Sequence, residues 1–156
     1  MNYFIIKEHI KFWWTAHTAH GIHSPFIYNL ITQCLHKPNL TYPIQFHTES
    51  ISKKYCKLLN RVLNFYSLKS ISTNHLHHFD AIITQNFQNS EEIIPKLKNN
   101  QFWFILNIRQ NPKTLKKWLD LTQRTDIKVT IDLFTIGIVL QRTEQVKENF
   151  QLKVKF

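Results

Sequence analysis

Apolar residues recur along this chain with two different periods. Phe4, Ile5, Ile6, Ile10, Trp13 and Trp14 fall at helical spacing with Lys7, Glu8 and Lys11 off the stripe, which predicts a helix over residues 3–19. Gly21 ends it. Ser24-Pro25 starts a second helix, because a serine oxygen can accept from the free N–H groups of the first turn and proline is tolerated at the first helical position. Phe26, Ile27, Leu30, Ile31, Cys34 and Leu35 continue that helix, and Pro38, Asn39 and Pro43 mark residues 36–47 as a linker between a helical N-terminal arm and the main body. Over residues 49–66, Ile51, Tyr55, Leu58, Leu59, Val62, Leu63 and Tyr66 share one helical face. Lys53, Lys54, Lys57 and Arg61 share the other.

The pattern then shortens. Residues 69–73, 79–84 and 101–107 read as strands, with a brief helix over 90–98 that opens at Ser90-Glu91-Glu92 and is shortened or kinked by Pro95. Pro112 opens a further helix with Leu115, Trp118, Leu119 and Thr122 on one face. Residues 129–142 form the longest β-branched run, and they predict two strands meeting near Thr135-Ile136-Gly137, with the glycine supplying the bend. A run apolar on both faces belongs in the middle of a sheet covered by helices, so the expected fold is α/β. Alternation over residues 150–156 predicts a half-exposed edge strand.

At 156 residues, 43% hydrophobic and 13% aromatic, the chain has the material for one folded domain. Its only glycines are Gly21 and Gly137, whereas phosphate cradles need glycine where backbone approaches a ligand closely. The net charge of +10 would attract nucleic acid or an anionic membrane surface, but the basic residues are scattered singly, as in any lysine-rich composition. Cys34 and Cys56 sit in helical apolar patterns and read as buried thiols of a reducing compartment. Lys7, Glu8, His9 and Lys11 interrupt the greasy N-terminus, so a cytoplasmic protein without a transmembrane segment is expected.

Candidate chemistry is sparse. His17, His20 and His23 recur at helical spacing, but Gly21 and Pro25 break that helix; His75, His77, His78 and Asp80 form a second group that strand alternation would split. No metal site is expected at either. Asp132 lies inside the buried-looking run, where a carboxylate must be paired or face a cavity. Phe12, Trp13 and Trp14 are more aromatic surface than a short helix hides, so they either pack onto the body or meet a protein partner or a membrane. Lys53, Lys54, Lys57, Arg61 and Lys69 could form a basic face, with Lys113, Lys116, Lys117 and Arg124 forming a second.

Three stretches carry a family resemblance. Ala19-His20-Gly21-Ile22-His23-Ser24-Pro25-Phe26-Ile27-Tyr28, Ile94-Pro95-Lys96-Leu97, and residues 129–150 together resemble bacterial class I S-adenosylmethionine-dependent methyltransferases of the O-methyltransferase-like type. The resemblance implies a Rossmann-like sheet whose first strand is followed by an acidic, glycine-rich cofactor loop, with acidic residues ending the fourth and fifth strands. Here Ser70-Ile71-Ser72-Thr73-Asn74-His75 has neither glycine nor carboxylate, and Ile83-Thr84-Gln85 and Leu106-Asn107 stand where the other acidic residues belong. The resembled family shares Asp132, which implies a structural hydrogen bond for it in place of catalysis. The strand-like segments on either side of Asn74 lie too close together for the missing strand and helix units, which implies a deletion.

The expected protein is therefore an N-terminal helical arm over 1–47 and a truncated Rossmann-like methyltransferase domain over 48–156, without cofactor or metal. Its expected role is that of a pseudoenzyme, a binding or scaffold subunit of a larger assembly, with a protein partner and Lys53, Lys54, Lys57, Arg61, Trp13 and Trp14 as contacts. Two alternatives remain, a basic RNA-binding protein, and an enzyme that binds S-adenosylmethionine once a partner chain completes it.

Overall fold

The computed structural model describes residues 2–38, 43–73 and 79–156. Its centre is a sheet ordered β1-β2-β3-β5-β4-β6, built from Ile71–Ser72 (β1), Ala81–Gln85 (β2), Phe102–Leu106 (β3), Val129–Asp132 (β4), Ile136–Leu140 (β5) and Glu148–Gln151 (β6). All run the same way except β5, which is antiparallel to both of its neighbours, β3 and β4. The fold is thus mixed α/β with a mostly parallel sheet.

Strand alternation divides the core into two layers. Phe102, Phe104, Leu106, Ile136, Ile138 and Leu140 face one side, under α2 (Pro25–Leu30), its continuation as a π turn (Ile31–Leu35) and α3 (Lys53–Phe65). Trp103, Ile105 and Val139 face the other, under α4 (Ser90–Ile93), the 3-10 turn Ile94–Lys96 and α5 (Pro112–Gln123). Pro95 sits where α4 tightens into that turn, as its missing N–H requires. The buried residues of the N-terminal arm, Ile27, Leu30, Ile31, Cys34 and Leu35, belong to the same apolar cluster as the sheet. Arm and body share one core.

Three expectations change. The first helix, α1, spans Tyr3–Thr15 and stops short of residue 19, because His17 leaves it to pair with Leu152: the Gln151 carbonyl accepts from His17 N–H at 2.8 Å and the His17 carbonyl from Lys153 N–H at 2.9 Å. Gly137 lies inside β5 and makes no bend; the turn is Leu133-Phe134-Thr135, with Phe134 at φ 73. Glycine is needed there because α5 packs close, and a Cβ on Gly137 would lie 2.6 Å from Cζ3 of Trp118. The terminal strand is β6, which ends at Gln151 and forms the sheet edge beside β4.

Candidate interaction surface

Open α/β sheets bind ligands outside the carboxyl ends of their parallel strands. Among the described residues, the chain itself crosses the ends of β2, β3 and β4. Past β2 and β3, Ser50 accepts from Gln85 Nε2 through Oγ, and its carbonyl accepts from Asn107 Nδ2 at 2.9 Å, so the segment before α3 lies across both strand ends. Past β4, α1 crosses over the β4–β5 turn, with Phe12 and His9 edge-on to Phe134 at ring distances of 5.4 and 4.6 Å.

Beneath α1 lies a buried ion pair that the sequence half announced. Asp132 accepts from both terminal nitrogens of Arg109 at 2.6 Å, from Trp118 Nε1 at 3.0 Å and from the Phe134 N–H at 2.9 Å. The Arg109 guanidinium also lies 5.0 Å from the Phe12 ring and 5.3 Å from the Phe134 ring, a cation held between two aromatic faces. Asp132 has the structural hydrogen bonds expected of it. Arg109, its partner, carries no periodic signal in the sequence.

The tryptophan pair does not pack onto the body. Phe12 is the residue that α1 buries, while Trp13 and Trp14 remain 59% and 76% exposed, their rings edge-to-face at 5.7 Å. Tyr3 at 80% and Ile10 at 56% lie on the same side of the helix at i, i+7 and i+10 or i+11 spacing. Ile5, Phe12 and Ala16 occupy the opposite side and join the core. So α1 has two apolar faces and the protein covers one of them. Lys153 Nζ lies 4.9 Å from the Trp13 ring at the rim of the open face.

The basic face of α3 is smaller than the helical wheel suggests. Lys53, Lys54 and Lys57 are exposed, but Arg61 is 3% exposed and donates from one terminal nitrogen to the Lys155 carbonyl at 3.0 Å. The chain after β6 passes over that part of the helix and buries it. The three lysines line an open groove of ≈ 930 Å³ between α3, the segment 44–48 and Phe156. Lys69 is exposed beyond the far end of α3, and on α5 Lys116 pairs with Asp120 at 2.8 Å.

Both cysteines are buried, and burial pushes the Cys34 thiol up to about 12 against the opposing field of Arg61. Cys56 donates to the Phe46 carbonyl at 3.3 Å. His20 and His23 are exposed, His75, His77 and His78 lie outside the described residues, and Asp80 accepts from the N–H groups of Lys69 and Ser70. Among the described residues no group of three His, Cys, Asp or Glu side chains could hold a metal ion. Nor is any helix among them long and apolar enough to cross a membrane. No family model matches the chain, and no curated protein or solved structure matches it.

Proposed function

We propose that this chain is a non-catalytic binding subunit that docks a protein partner through the outer face of α1. The observation that carries this is the second apolar face, with Tyr3, Ile10, Trp13 and Trp14 all open to solvent. Aromatic residues concentrated at one place are what anchor protein interfaces, since they bury much area for little side-chain entropy. Occupation of the strand ends by Ser50 and by α1 supports the absence of catalysis. The short link between β1 and β2, which pair in parallel across residues 73–80 alone, supports loss of the cofactor half of a methyltransferase-like sheet.

The test is to isolate the tagged full chain and its Trp13→Glu/Trp14→Glu variant from their own cells and compare the proteins that come with each at near-equal amounts. The expected outcome is a stoichiometric partner lost with the variant while melting temperature and far-ultraviolet dichroism stay unchanged. The same partners at the same amounts for both chains would overturn the assignment. S-adenosylmethionine supplies a second arm: saturation at a hundred times a dissociation constant adds about 2.7 kcal/mol of stability. No such rise is expected, for the chain alone or with its partner, and a rise would favour an enzyme completed by another chain.

A further inference from the structure

The groove beside α3 is separate from the outer face of α1, and its chemistry is the same whether or not α1 docks a protein. Lys53 and Lys57 are one helical turn apart, a rise of about 6 Å, and Lys54 lies between them. These lysines enter none of the ion pairs among the described residues. Among those residues no Asp or Glu side chain lines the groove. Lys54 Nζ lies 4.8 Å from the Phe156 ring and 5.3 Å from the Tyr55 ring, so the cation sits over aromatic faces in place of a carboxylate. Phe156 is half exposed, and Phe46 is partly open on the opposite wall.

We propose that this groove binds single-stranded nucleic acid, with Lys53, Lys54 and Lys57 on successive phosphates and Phe156 stacked on a base. Cations at this spacing suit a backbone of regularly repeated negative charges, and a sequence-tolerant single-strand site combines such cations with a ring for stacking. An acidic peptide would use the lysines and leave the ring idle. His36, which does not line the groove, is held below the ordinary histidine value first by burial and then by Lys155, with the Lys153 backbone opposing and Arg61 adding to the effect.

The experiment measures binding of the full chain to a fluorescein-labelled twelve-nucleotide oligouridylate by anisotropy between 50 and 200 mM salt. Three phosphate contacts on a single strand contribute a log–log slope of about −2, a fall in affinity of roughly 20-fold over that range. Lys53→Gln/Lys54→Gln/Lys57→Gln is expected to remove that part of the slope, and Phe156→Ala to weaken binding while leaving the slope in place. Lys113→Gln/Lys116→Gln/Lys117→Gln removes the same formal charge from α5 and is expected to change binding little. Equal losses from the two lysine triples would show attraction to net charge alone and overturn the proposal. So would absence of binding at 50 mM salt, or oligoglutamate of equal length competing as well as unlabelled oligouridylate. Melting temperatures confirm that each variant is folded.

Discussion

Replacing Gly137 by alanine adds one methyl group to the middle of β5. It would meet three atoms of the Trp118 ring, at 2.6, 2.9 and 3.0 Å, where a real Cβ essentially never sits. Neither neighbour has room to yield. Gly137 is in register with Ile105 on β3 and Asp132 on β4, and Trp118 is 1% exposed with Nε1 bonded to Asp132. Forcing an extra methyl into such a site costs about 1–3 kcal/mol. If the ring swings away instead, it forfeits a hydrogen bond to a buried carboxylate worth about 1.5–3 kcal/mol. By either route a loss of about 1–3 kcal/mol is expected, a sizeable part of a domain's stability of about 5–15 kcal/mol. For a chain of this length that lowers the melting temperature by roughly 2–12 °C. Urea unfolding of wild type, Gly137→Ala, Trp118→Phe and the double variant would measure it. Phenylalanine lacks the six-membered half of the indole that the new methyl meets, so the double variant should be more stable than the sum of the two losses by about 1 kcal/mol or more. A Gly137→Ala chain within about 0.5 kcal/mol of wild type, or strict additivity with Trp118→Phe, would refute the close-packing explanation.

Asp132→Asn leaves the Arg109 guanidinium buried without its counter-ion and should cost about 3–5 kcal/mol by urea unfolding, whereas neutralising the exposed Lys116–Asp120 pair should cost under about 1 kcal/mol; a small loss at Asp132 would mean that Arg109 finds water. His36 has its folded pKa lowered from 6.5, so the unfolded chain takes up the proton first. The stability lost to this group therefore begins as pH falls through 6.5 and continues until the lower, folded value is passed. Unfolding midpoints measured from pH 7 down to 5 should fall less steeply for His36→Asn than for wild type, and parallel curves would remove His36 as a cause.

The periods of three to four and of two were legible because they are local properties, and they placed α1, α3, α5 and strands β2 to β5 near their observed positions. What stayed hidden depends on residues distant in sequence. The helical wheel put Arg61 with Lys53, Lys54 and Lys57 on a solvent face, and nothing local says that the chain after β6 crosses that face and takes its last cation inside. Gly137 looked like a turn residue because glycine is common in turns; its partner, Trp118, is on another element. Phe134 takes the left-handed turn position although it is not glycine, held there by Arg109, Phe12 and His9. Asp132 did announce a need for a partner. Which of twenty basic residues would supply it was not readable from spacing.

The segment from Gln151 to Lys155 fastens three N-terminal elements at once: it flanks His17, its Lys155 N–H donates to the Leu35 carbonyl, and its Lys155 carbonyl receives Arg61. Its contacts reach across 136 residues to Thr15 and 94 to Arg61. A ribosome adding about 5–20 residues per second needs on the order of ten seconds to cover the longer interval. For that time α1 exists without its seat, and both of its apolar faces are open. Synthesis therefore gives this helix a window in which both apolar faces are open; the Phe12 face closes when it seats on Phe134 and Arg109, and the C-terminal strap then pins the end of the helix at Thr15 and His17.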